Sequence, residues 1–99
     1  MDIIDEDVET TLVNAMTKNV TITLDADNWE LDDGEYFQTV SVTGMSATKS
    51  VIVSPTDSSI FDYSDAEIVC NGQATNSLTF IASTLPTTDI DVNIIHSGI

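Results

Sequence analysis

Arginine is missing from this chain of 99 residues, and lysine occurs only as Lys18 and Lys49. Phosphate recognition relies on these two residue types, so composition argues against a nucleic-acid partner and against an anionic membrane surface. Cysteine occurs once, as Cys70, which rules out an internal disulfide. Histidine also occurs once, as His96, with no GxSxG or HExxH pattern anywhere in the chain. A nucleophilic Cys70 would have His96 as its one imidazole base. Cys70 therefore reads as a small core residue and His96 as a structural or exposed one. Apolar runs stay short, far from the ~20 residues that cross a bilayer as a helix. The opening Met1-Asp2-Ile3-Ile4-Asp5-Glu6-Asp7 is acidic where a secretory signal is basic, so no signal peptide is expected.

What the chain has in plenty is carboxylate. Seventeen Asp and Glu set the formal charge at −15. The plain reading is a solvated coat that repels like surfaces, at a cost in stability that salt relieves. Sharper readings are a Ca²⁺ site, a basic partner surface or adaptation to high salt. An apolar fraction of 41% still permits one modest core, and the length suits one domain.

The second abundant feature is alternation. Ser77-Leu78-Thr79-Phe80-Ile81-Ala82-Ser83 and Asp89-Ile90-Asp91-Val92-Asn93-Ile94 switch apolar and polar at nearly every step. A period of two places one face on a core and one in water. Val20–Leu24 and Glu35–Thr43 are read as strands, the latter with Tyr36, Val40 and Val42 on one face and Gly44 ending it. Ser50–Val53 is nearly all apolar, so both its faces are expected to be covered. Ser54-Pro55 suits a helix N-cap and first position, predicting a helical insertion around 56–66. Glu67–Ala74 is a further strand, with a bulge expected at Gly72. Thr75-Asn76 turns into Ser77–Ser83, and Ile90–Ile95 closes the set. Six strands with short turns and one helical insertion imply an all-β fold: an antiparallel two-layer sandwich, Ig-like or jelly-roll-like. Residues 1–18 read as an N-terminal arm or short helix, with Val8, Leu12 and Met16 at helical spacing for attachment or oligomer contact. Residues 19–99 read as the sandwich domain.

Candidate chemistry is thin. Asp25, Asp27, Asp32, Asp33 and Glu35 crowd the loop from Asp25 to Glu35, and Ca²⁺ takes six to eight oxygens. The run lacks EF-hand order, because Trp29 stands where an acidic ligand belongs. It is therefore weighed chiefly as a solvated loop, with no resident metal or cofactor. Trp29 and Tyr36 are candidate stacking rings for a glycan, against the alternative that they fill the core. Phe61 and Phe80 are assigned to the core. The balance favours a scaffold or binding module over an enzyme.

Three stretches carry a resemblance: Gln38–Ala47, Val51-Ile52-Val53-Ser54-Pro55, and Tyr63-Ser64-Asp65-Ala66 with Leu78-Thr79-Phe80. Together with the closing Leu85–Ile95, they resemble a small β domain near the C-termini of tailed-phage and prophage structural proteins. The likeness covers about Val20 to Gly98. It implies a non-enzymatic virion module: a capsid decoration, tail, fibre or baseplate appendage on the particle exterior. It also implies other virion proteins as partners and a homo-oligomer, with three-fold symmetry the expected arrangement. The family brings no catalytic residues. The readings kept beside it are a carbohydrate-binding module, with host-surface glycan as partner, and a Ca²⁺-dependent adhesion module.

Overall fold

Alternating Thr and apolar residues, Thr21-Ile22-Thr23-Leu24, extend the first strand, and the rest of the chain repeats that logic. The structure, a computed structural model, describes residues 17–97. Seven strands form: β1 (Thr17–Leu24), β2 (Glu30–Asp32), β3 (Glu35–Ser41), β4 (Val51–Pro55), β5 (Val69–Ala74), β6 (Ser77–Ala82) and β7 (Ile90–Ser97). One short helix, α1 (Ile60–Asp65), lies between β4 and β5. The strands make two antiparallel sheets, ordered β1-β7-β4 and β2-β3-β6-β5. The architecture is an all-β sandwich with one helical insertion.

Burial follows the alternation. Leu24, Ile90, Val92 and Ile94 come from the first sheet, and Leu78, Phe80 and Ala82 from the second. All are fully buried in one core with Trp29, Val42 and Met45. Each large side chain so removed from water contributes roughly 1.5–3 kcal/mol.

Local conformation explains the connections. Asp33 (φ 53°) and Gly34 (φ 83°) are both left-handed, as a two-residue type I′ hairpin between β2 and β3 requires. Asn76 (φ 58°) turns β5 into β6; its short amide side chain tolerates this region. The pairing of β5 with β6 shifts register between Cys70 and Gly72, the bulge expected there.

Three expectations are corrected. The Asp25–Gly34 segment is not all loop. Asp25 caps a 3₁₀ turn (Ala26–Asn28), and Glu30–Asp32 pairs with β3 as an extra strand. Ser54-Pro55 does not start the helix. Both residues end β4, an edge strand where a missing N–H is tolerated, and α1 begins after Ser59. Nor is β4 covered on both faces, since Ile52 is 65% exposed. The expected arm residues Val8, Leu12 and Met16 lie outside the described residues, which open with β1 at Thr17.

Polar side chains tie the two sheets together where the pattern alone would not. Gln38, on the core face of β3, is buried. Its Oε1 accepts from the Asp25 backbone N–H at 3.1 Å and its Nε2 donates to the Asp25 carbonyl at 3.0 Å. One amide thereby stands in for a strand neighbour at the end of β1. Ser59 is also buried, and its Oγ accepts from the Asp91 N–H at 2.9 Å, seating the start of α1 on β7.

Candidate functional site

The rings proposed for a glycan do not form a platform. Trp29 is 9% exposed and belongs to the core, while Tyr36 is half-buried and packs against that core. A ring whose faces touch protein has no face to offer a sugar. The indole Nε1–H of Trp29 is buried and has no hydrogen-bond partner among the described residues. Trp29 fluorescence should accordingly be blue-shifted and resist iodide and acrylamide quenching. Emission near that of free tryptophan, readily quenched, would contradict this placement.

The acidic residues are not gathered either. Asp25 Oδ1 accepts from the Asp27 N–H at 2.8 Å as a turn cap, while Asp32, Asp33 and Glu35 sit at the far hairpin. Among the described residues, no three of His, Cys, Asp or Glu converge as metal ligands. A Ca²⁺ cage needs several oxygens at one point, and these residues do not supply one.

Cys70 and His96 line separate hollows. Cys70 shares a groove of about 480 Å³ with Val51, Val53, Tyr63 and Gln73, along the open side between edge strands β4 and β5. Burial pushes the Cys70 thiol above its ordinary pKa, with partial relief from hydrogen bonding to the Gly72 backbone. Burial, and then Cys70 beside it, likewise raise the Tyr63 phenol. A thiol held protonated in this way is a poor nucleophile.

What the outer faces do offer is apolar surface. On the first sheet, Ile52 and Ile95 stand directly opposite each other, 65% and 39% exposed. On the second, Phe37, Ile81 and Val69 form one row across β3, β6 and β5. Asp32, Asp33 and Glu35 rim that row at one end. Phe61, expected in the core, is 80% exposed on α1. The helix has six residues and none of them is buried, so it has no core face to enclose every apolar residue it carries.

The remaining feature is a hollow of about 350 Å³ at the end of the sandwich where β1 begins. His96 of β7 pairs with Lys18 of β1, so the two side chains leave on the same, inward face. The loop after β3 supplies Lys49. Gln73 Nε2 pins that loop by donating to the Ser46 and Lys49 carbonyls, each at 2.8 Å. Asn76 pins it as well, its Oδ1 accepting from the Gly44 N–H at 3.0 Å. The Lys49 ammonium donates to the Gly44 carbonyl at 2.6 Å, and Gly44 needs its left-handed φ of 86° to make the turn. His96 is 3% exposed. Sequence reading treated these three residues separately, because nothing local links positions so far apart.

Comparison with known proteins matches no family model, no curated protein and no solved structure. Among the described residues, no helix is long and apolar enough to cross a membrane.

Proposed function

We propose that this chain is a non-enzymatic structural module of a tailed virus, a capsid decoration, tail or fibre/baseplate appendage on the particle exterior. In this reading it works as a homo-oligomer, taken to be a trimer, and its partners are other virion proteins. The observation that carries the reading is the pair of apolar rows on the outward sheet faces. An antiparallel sheet facing only water alternates cleanly to polar on that side, and contiguous exposed apolar surface marks an interaction site. A module used in many copies gains its affinity through repetition, so it requires a dependable surface more than a reactive pocket. The resemblance of Gln38–Ala47 and of Leu85–Ile95 to phage appendage domains supplies the virion context.

The test has two arms. Light scattering should give three times the 10.7 kDa chain mass. The double variant I52T/I95T should lose that assembly while keeping its melting temperature, because exposed positions shift stability by only about 0.5 kcal/mol. A monomer for the unmodified chain at high micromolar concentration would overturn the oligomer. Purified particles should contain the chain as a stoichiometric component, and particles lacking it would overturn the virion placement.

A further inference from the structure

The outer face of the second sheet joins apolar surface to opposed carboxylates. Glu30, Phe37, Ile81 and Val69 are partners in register across β2, β3, β6 and β5, so they form one cross-strand row. Within it Phe37 and Ile81 are half-buried and Val69 is exposed. One pleat away on the same face, Asp32 and Glu35 stand directly opposite each other. Like charges so placed destabilise the hairpin that carries them. A hollow of about 360 Å³ connects the two features, lined by Phe37, Thr79 and Ile81 together with Asp32, Asp33 and Glu35. The lysines of the chain lie elsewhere. Strands β2, β3, β5 and β6 carry no Lys or Arg. Lys18 and Lys49 line the hollow at the other end of β3, where the Lys49 ammonium donates to the Gly44 carbonyl. A strand of this length separates the two ends by about 20 Å.

We propose that this face docks a basic segment of a different protein, with an Arg or Lys side chain seated in the hollow and an apolar neighbour laid on the Phe37–Ile81–Val69 row. A long cationic side chain answers both features at once. Its aliphatic stem covers Phe37 and Ile81 while its charged head reaches Asp32 and Glu35. A guanidinium over the Phe37 ring gains a cation–π contact as well. The cation separates the opposed carboxylates electrostatically, so docking relieves a repulsion that the free hairpin carries. Charge complementarity also excludes a second copy as occupant. Two chains of formal charge −15 repel each other, and this sequence has no arginine to offer. The same net charge steers a basic partner inward from a distance. The inference deepens the reading above and rests on it for treating the row as a contact surface. It gives the second apolar row a partner of stated chemistry and leaves Ile52 and Ile95 to contacts between copies.

The experiment is a two-dimensional NMR titration of the full chain with a capped peptide of alternating arginine and valine. Amide shifts should centre on Asp32, Glu35, Phe37 and Ile81 and spare Ile52 and Ile95. Binding should weaken at least about tenfold as salt rises from about 0.1 M to about 1 M and the screening length falls from about 10 Å to about 3 Å. The variant D32N/E35Q should bind about tenfold more weakly, the loss of two surface ion pairs. Its melting temperature should hold or rise, because the opposed charges are gone. A peptide of alternating arginine and serine should also bind about tenfold more weakly, since it brings no apolar side chain to the row. Equal affinity for D32N/E35Q and the unmodified chain, or for the two peptides, would overturn the proposal. So would the absence of shifts at about 1 mM peptide, or shifts spread over remote carboxylates such as Asp57 and Asp62. Light scattering on the same sample separates the two readings. A monomer that takes the peptide at this face loses the homo-oligomer and keeps the docking site, and an oligomer that ignores the peptide does the reverse.

Discussion

Phe80→Ala should remove about 3–5 kcal/mol of unfolding free energy, and Phe61→Ala should remove about 0.5 kcal/mol or less. The two residues are chemically identical and were both expected inside. Phe80 is fully buried on β6, flanked by Gln38 on β3 and Cys70 on β5. Truncation there leaves a cavity between two sheets that cannot collapse onto it, so the lost transfer energy and the cavity add. Phe61 is 80% exposed, so alanine there removes little contact. A domain of this size loses about 4–8 °C of melting temperature per kcal/mol. Phe80→Ala should therefore fall by 12 °C or more at about 4 °C per kcal/mol, a large part of a total stability of roughly 5–15 kcal/mol. Urea denaturation of both variants decides the matter. Equal losses at the two positions would show the core to be drawn wrongly.

Gln38→Leu should cost about 2 kcal/mol, even though leucine is more apolar and of similar size. Area bookkeeping alone expects this substitution to be neutral or stabilising, because a buried amide becomes a buried hydrocarbon. Hydrogen-bond accounting reverses the sign. Gln38 is the partner of the Asp25 N–H and shares the Asp25 carbonyl with the Asn28 N–H, so leucine leaves the N–H unpaired and takes one of two donors from the carbonyl. An unsatisfied buried backbone group costs about 1–3 kcal/mol, reduced here because Asp25 is only half-buried. Gln38→Glu gives the control: its carboxylate still accepts from the Asp25 N–H but cannot donate to the carbonyl while ionised. It should be weaker than Gln at neutral pH and recover on acidification, when the protonated acid regains a donor. Chemical denaturation of both variants at two pH values reads this directly. A Gln38→Leu protein as stable as the parent would remove the clasp from any account of how the sheets are joined.

Several elements were legible because their cause is local. The strands around Phe80 and Val92 were readable from side-chain alternation alone, since a pleated strand exposes every second residue to the same side. The bulge at Gly72 and the turn at Asn76 were readable from residue type. Strand β2 was passed over although its signal was present: Asp33-Gly34 is a strong two-residue hairpin signature, masked by the acidic residues on either side. The Ser54-Pro55 pair suggested a helix start because its cues match a cap, but pairing with Asn93 and Val92 of β7 prevailed over that preference. The candidate acidic site failed for a related reason. Density of carboxylates along the chain says nothing about whether their oxygens point to a common centre.

The sequence by itself determined the all-β class, the composition of the core strands and the heavy negative charge, because periodicity and residue type act within a few positions of one another. The tertiary structure alone decided that Trp29 is enclosed while Phe61 is exposed, that Gln38 bridges two sheets, and that Lys18, Lys49 and His96 share one hollow. These outcomes depend on which strands lie side by side after the chain closes loops of tens of residues, and that choice is made by the summed burial of the whole core rather than by any neighbouring residues.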